Sequence, residues 1–414
     1  MRHHVVVVRF LAAVSLLVGI VGVSSACLND RDTDAVSLEA RGLPGTAEVI
    51  TGRFERNPPL YYQMRIDRIS GELQRKPNQP DLYDDISVAF DRIGRDDDAL
   101  HWIEHKRKYL PVESPTNSPT DREEWYRYYA NSGTFLVHQW FRAGATAEKI
   151  AALTDARNRI ARAIAIKPNA HFGREKYQLM VIDWLAATAA DEGTDSRNAL
   201  GRFIVATVRG NLPKNLEGPK LDAAYRAAYD EASTGLSGLV VLGNAWESPD
   251  IFGALADTLN ESKKSRLGYL AGLRCRELLQ AGKHSFAIKD ERPGETWEQL
   301  TARLSHSVAN KSNLEDRFKI LRDEADRWQS ERDTYMLTRL RTGRHPDTDP
   351  TFWNDYHSSP PPSLDGPWIY DVAGNVAAYM IVKGGNIIPG LGIACAILAW
   401  GISYARRLRA SRSL

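Results

Sequence analysis

The sharpest short pattern that could do chemistry is the run His101, Trp102, Ile103, Glu104 and His105, which reads H-x-x-E-H. On a helix its two imidazoles share a face one turn apart and could hold one zinc ion, with Glu104 as general base on a bound water. That arrangement would make the chain a metal-dependent hydrolase. It would need a third protein ligand, and the next helical stretch offers Glu123 and Glu124. A second pattern, Asp30, Asp32 and Asp34, alternates as in a calcium loop. There, however, Ala35 stands where the sharp turn needs glycine and Arg41 where a bidentate glutamate belongs. These aspartates read instead as a solvated acidic tether. The absence of G-x-x-x-x-G-K-[ST], G-x-S-x-G and C-x-x-C removes the readily recognised nucleotide, serine-hydrolase and redox chemistries.

The elements that carry the histidine pair give it a different meaning. Tyr83, Ile86 and Phe90 fall on one helical face, Gly94 permits a tight turn, and Ala99 lets a second helix approach the first. Pro111 ends that second helix, since proline lacks the amide hydrogen and its ring crowds the preceding turn. From Asp81 to Pro111 the pattern resembles a tetratricopeptide repeat. Within it Ala99, Ile103 and Lys106 take the inward positions of the second helix, leaving His101 and His105 as solvated surface residues. Pro77 precedes Pro111 by 111 − 77 = 34 positions, the length of one such repeat.

The stretch from Leu60 to Lys76, with Tyr62, Ile66, Ile69 and Leu73 on one stripe and Gln63, Asp67 and Gln74 outside it, is expected to cap the stack. A second unit starts near Tyr129 and ends in Ala156, Ile160, Ala163 and Pro168. Gly133 lies 156 − 133 = 23 positions before Ala156, where the repeat expects about 12, so residues Trp140 to Ile150 are expected to lengthen the first helix and its turn. A third helix runs from Ala170 through Tyr177, Met180 and Trp184. Residues 191–341 continue as divergent helices over Ser196–Arg209, Leu221–Ala232, Pro249–Leu259 and Lys263–Ala281. Ser248-Pro249 provides a strong helix start. From Thr296 to Arg341 the run containing Phe318, Leu321, Ala325, Trp328 and Met336 reads as two long amphipathic helices, with Trp328 the natural self-association surface.

Tetratricopeptide proteins line a concave groove with the first helix of each repeat. The resemblance therefore implies partner-binding positions Asp81, Asp84, Val88, Asp91 and Arg92, then Asn131, Thr134, Val137 and His138, then Glu175, Leu179 and Asp183. This groove is acidic at its start and suits a protein or peptide partner with basic residues. The Lys and Asn clamp of chaperone-binding members is not reproduced, since Asp84 and Val88 depart from it.

The two ends point to the membrane. Arg2 and Arg9, an apolar run from Phe10 to Val23 and small residues Ser24 to Ala26 make residues 1–26 an export signal. Cys27 follows as a candidate for lipidation, although Ser24 stands where a branched apolar residue is usual. Ile387 to Tyr404 contains 18 residues without a charge, followed by Arg406, Arg407, Arg409 and Arg412, the signature of a membrane helix with its basic tail inside. Residues 342–367 hold six prolines and read as a semi-rigid stalk, and 368–386 as a juxtamembrane segment. With a net charge of +2 and 43% hydrophobic residues, the chain can build a sizeable core and offers nothing for nucleic-acid binding.

The expectation is an all-α chain, a tetratricopeptide-like solenoid of stacked antiparallel helix pairs (60–190, then 191–341) after a tether at 27–59. A transmembrane helix at 387–405 and a basic tail at 406–414 complete it. Its expected role is a non-enzymatic, cofactor-free interaction scaffold, exported and held by the membrane with its body on the extracytoplasmic side. The histidine-pair hydrolase and a self-associating structural envelope component are the alternatives.

Overall fold

Helix boundaries in this chain follow from local capping chemistry. A computed structural model describes residues 28–33, 42–168, 170–190, 199–286, 311–362 and 364, and among them every regular element is helical. Twelve α-helices are present: α1 (Thr46–Thr51), α2 (Pro59–Arg75), α3 (Pro80–Arg92), α4 (Asp96–Lys106), α5 (Pro119–Arg142), α6 (Ile150–Ile166), α7 (Arg174–Ala190), α8 (Leu200–Gly210), α9 (Gly218–Leu242), α10 (Pro249–Glu261), α11 (Ser265–Gln280) and α12 (Lys311–Leu340). Proline opens α2, α3, α5 and α10, where its missing amide hydrogen costs nothing. Ser248 Oγ caps α10 by accepting from the Ile251 amide at 3.2 Å, as its sequence position implies. Gly94 adopts φ +82° after α3, the left-handed geometry the turn into α4 requires.

Consecutive helices from α2 to α7 pack on one another, and α7 then packs on α9, α9 on α10, α10 on α11 and α11 on α12. The path then returns to its start, because α12 packs on α2, and α1 meets α9, α11 and α12. Arg322 of α12 donates to the Thr51 carbonyl at 2.5 Å, and Arg92 of α3 to the Leu242 carbonyl at 2.9 Å, so charged side chains satisfy helix-end carbonyls that lack an intrahelical partner.

Three close approaches depend on the absence of a side chain. A Cβ on Gly133 would lie 2.9 Å from Ile160 Cδ1 and 3.1 Å from the Ala156 carbonyl, so this glycine lets α6 sit against the middle of α5. The extra spacing before Ala156 is taken up by α5 running on to Arg142 and by the turn to Ile150, and α5 begins at Pro119 rather than near Tyr129. At Gly235 a Cβ would lie 2.1 Å from Tyr177, which fixes α9 against α7. At Gly52, with φ +85°, one would lie 2.5 Å from Trp246.

Three expectations are corrected. The tether does not trail into solvent: Asn29 and Asp30 are buried, Asp32 is half-buried, and Leu28 is part of the main core. The first part of the stalk does not project, because residues 342–361 fold back as a strap: Phe352 is fully buried among Met336, Leu340 and Tyr61, and the His345 ring stacks on Tyr61 at 4.6 Å. Trp328 is no open surface, since its indole donates to Ser358 at 2.9 Å beneath the Arg53 guanidinium. Of the long charged run, Lys311–Leu340 form one helix, α12, and residues 296–310 lie outside the described residues.

Outside them too lie the export signal, Cys27, Asp34, the juxtamembrane segment, the expected membrane helix 387–405 and the tail. Among the described residues no helix is long and apolar enough to cross a membrane. The chain divides into two units after Pro361, and all twelve helices belong to the first.

The tether and the strap meet on α2 at Arg65, whose side chain has no solvent contact. Asp32 and Asp347 each grip its guanidinium with two oxygens at 2.7–2.9 Å, and Asp30 adds a contact at 3.1 Å. Replacing Arg65 by alanine strands these buried carboxylates, and a loss of about 3–5 kcal/mol in urea-unfolding stability is expected. A loss below about 1 kcal/mol would mean the charges are solvated, as surface pairs are.

Candidate functional site

The positions expected to line an open groove form instead a buried polar seam between α3, α5 and α7. Asp84, Val88, Asp91, Asn131, Thr134, Val137, His138 and Glu175 are all buried. Of the rest, Asp81 is exposed and pairs with Arg127 at 3.2 Å, Asp183 is half-buried and pairs with Arg157 at 2.6 Å, and Arg92 and Leu179 are half-buried. Buried polar groups persist only when paired, and the seam pairs most of them across helices. Asn131 donates to Asp84 at 3.1 Å, His138 Nδ1 meets Asp91 Oδ1, Gln178 donates to Thr134 at 3.1 Å, and Tyr126 donates to Glu175 at 2.5 Å. Asp84 and Asp91 are 7 residues apart, as are Asn131 and His138, and both pairs have a separation of 47. Seven residues are close to two helical turns, so α3 and α5 lie parallel with their inner faces in register.

One end of the seam carries an occupant from the chain itself. The Asn131 carboxamide accepts from the Asn29 amide at 2.7 Å and donates to the Asn29 carbonyl at 2.9 Å, gripping both polar groups of one residue's backbone. Two residues on, Arg31 donates its own amide to Asp85 Oδ1 at 2.9 Å and its Nε to Asp85 Oδ2 at 2.6 Å. A tight turn holds this segment in shape: Thr33 and Asp30 exchange hydrogen bonds of 2.9–3.1 Å. Residues 28–33 therefore lie on α3 and α5 as a bound peptide would.

Beneath them, Lys106 is fully buried between Asp84 at 2.5 Å and Glu124 at 2.6 Å. Burial pushes the Asp84 carboxyl up to about 7, with the Lys106 ammonium opposing the rise and Glu124 adding to it. Burial, with Asp32 beside it, also pushes Asp30 up to about 7. Asp347 moves the other way: burial raises it, but the Arg65 hydrogen bonds and charge prevail and hold it at about 2.

At the other end of the seam, Asp91, His138 and Asp96 stand together, all buried, with donor atoms within 4.8 Å of one another. Arg142 engages Asp96 Oδ1. Asp96 and Arg142 also line a cleft of about 790 Å³ between the α3–α4 turn and the α5–α6 turn.

The histidine pair of α4 is placed as its spacing implies, His101 exposed and its ring 4.4 Å from that of His105. Glu104 is committed elsewhere, accepting from Arg159 at 2.6 Å and from Tyr128 at 3.0 Å. Cys275 is buried, and burial pushes its thiol up, which keeps it protonated and inert.

Asp85, Arg65, His345 and Asp347 were not singled out from the sequence, and Lys106 only as an inward position. Arg65 carried a signal, since it sits on the apolar stripe between Tyr62 and Ile69. Comparison with known families, with curated proteins and with solved structures finds no match to this chain.

For a carboxyl whose folded pKa lies above its unfolded value, the folded state binds more protons between the two values, so stability falls as pH rises through that window. Asp84 sets the window at about 3.8 to about 7. Urea-unfolding free energy of the wild type is therefore expected to decline relative to Asp84→Asn across it. A difference that stays flat with pH would show that Asp84 is ionised throughout.

Proposed function

We propose that this chain is a non-enzymatic protein-interaction module of the tetratricopeptide type, an exported scaffold of stacked helix pairs held by a C-terminal membrane helix, with its body on the extracytoplasmic side. The tethering part rests on the sequence of the two ends. The scaffold part is supported by the parallel, in-register helices α3 and α5, each followed in sequence by a helix that packs on it.

The observation that carries the interaction reading is the two-sided grip of Asn131 on the Asn29 backbone. A side chain that satisfies both polar groups of one residue's backbone recognises an extended chain irrespective of its side chains. Asp85 then selects for arginine two residues later. The α3–α5 face is thus suited to an extended, arginine-containing segment of a partner protein. In the free protein, residues 28–33 take that place. The acidic character read from the sequence persists, but the residue that meets the basic group is Asp85 rather than Asp81 or Asp91.

A fluorescent peptide of sequence Leu-Asn-Asp-Arg-Asp-Thr, added to the full-length protein in detergent, tests this. Wild type is expected to bind it weakly, because its own segment competes, and Arg31→Ala at least about tenfold more tightly. Adding Asn131→Ala to Arg31→Ala should abolish binding. Equal binding with and without Asn131, or none to Arg31→Ala, contradicts the proposal.

A further inference from the structure

The far end of the seam has chemistry that a peptide-binding role does not use. His138 is fully buried in α5, its Nδ1 against Asp91 of α3, while its Nε2 and the second Asp91 oxygen, Oδ2, are buried with no hydrogen-bond partner. Leaving such atoms without partners costs about 1–3 kcal/mol each, more for charged groups. Asp96, at the first turn of α4, brings a third donor, so three separate helices converge on one point.

We infer that Asp91, Asp96 and His138 form a binding site for a divalent first-row transition-metal ion of the zinc class. One imidazole and two carboxylates match the donor set of such ions. Metal–donor bonds of about 2.1 Å in tetrahedral geometry put donors about 3.4 Å apart. Donor atoms within 4.8 Å of one another reach that spacing by small side-chain rotations. A carboxylate has two oxygens, so Asp96 can ligate through one while Arg142 holds Oδ1 and orients it. The cleft of about 790 Å³ that Asp96 borders supplies an entry path and leaves room for water on the ion.

Another acidic group, Asp81, Asp84 and Glu124, is no rival, because Lys106 already provides its cation. The surface pair His101 and His105 is a rival in any titration, since two imidazoles one turn apart chelate the same metals.

The experiment starts from full-length protein carrying His101→Gln and His105→Gln, dialysed against Zn²⁺ and measured by elemental analysis. One zinc per chain is expected. Adding His138→Gln or Asp96→Asn should remove it, while far-ultraviolet circular dichroism and the melting transition without metal stay close to those of the parent. Asp96→Asn is nearly isosteric and half-paired already, so it keeps the test valid if His138→Gln fails to fold. No stoichiometric zinc on the folded parent, or zinc that survives Asp96→Asn, overturns the assignment.

Discussion

A guanidinium shut away from water must be surrounded by carboxylates, and in this protein that requirement at Arg65 organises everything around it. The carboxylates come from residues 30 and 32 before the first helix and from residue 347 after the last one described, so one side chain on α2 ties both ends of the helical body together. Arg68 adds a second contact to Asp347 at 2.6 Å, and His345 bonds the Tyr61 carbonyl at 3.0 Å. The Asp347 amide donates to His345 Nδ1 at 3.1 Å, which makes Nε2 the protonated nitrogen and the ring neutral. Burial holds the histidine below its ordinary range and fits that tautomer. With the tether fixed at Asp30 and Asp32, Asn29 and Arg31 have little freedom except to lie on α3 and α5.

The same logic explains why the facing sides of α3 and α5 are polar yet closed. A heptad step places Asp84 and Asp91 on one face of α3, and Asn131 and His138 on one face of α5. Packed in register, each acidic group meets a donor. In an open groove these residues would face water and a partner. In this chain the path of helices returns upon α1 and α2 and residues 28–33 cover one end of the seam, so these polar residues satisfy one another and the chain's own backbone. The seam is a stack of matched pairs with two ends: one clasps a peptide segment, the other gathers two carboxylates and an imidazole.

Much of the helical framework was legible in the sequence, and for local reasons. Proline and serine at helix starts, glycine at the α3–α4 turn and the stripe of Tyr62, Ile66, Ile69 and Leu73 act within a few residues, so spacing reveals them. The inward positions Ala99, Ile103 and Lys106 were right for the same reason, and all three are buried. What spacing did not reveal is how far-apart segments meet. Nothing local in Asp347 announces a partner 282 residues away in Arg65, and a proline-rich stretch looks the same whether it projects as a stalk or folds back as a strap. The groove residues were legible as a set, because they share a helical face, but their burial depends on chain closure that no periodicity encodes. The calcium-like alternation of Asp30 and Asp32 was a true sign of a positively charged neighbour, and that neighbour is Arg65.

The central claim is that residues 28–33 rest on α3 and α5 rather than trailing into solvent. Amide hydrogen exchange on the full-length protein reads this directly, since the Asn29 and Arg31 amides donate to Asn131 and Asp85. The account requires both amides to exchange far more slowly than in a free peptide of the same sequence. Exchange at free-peptide rates would contradict it.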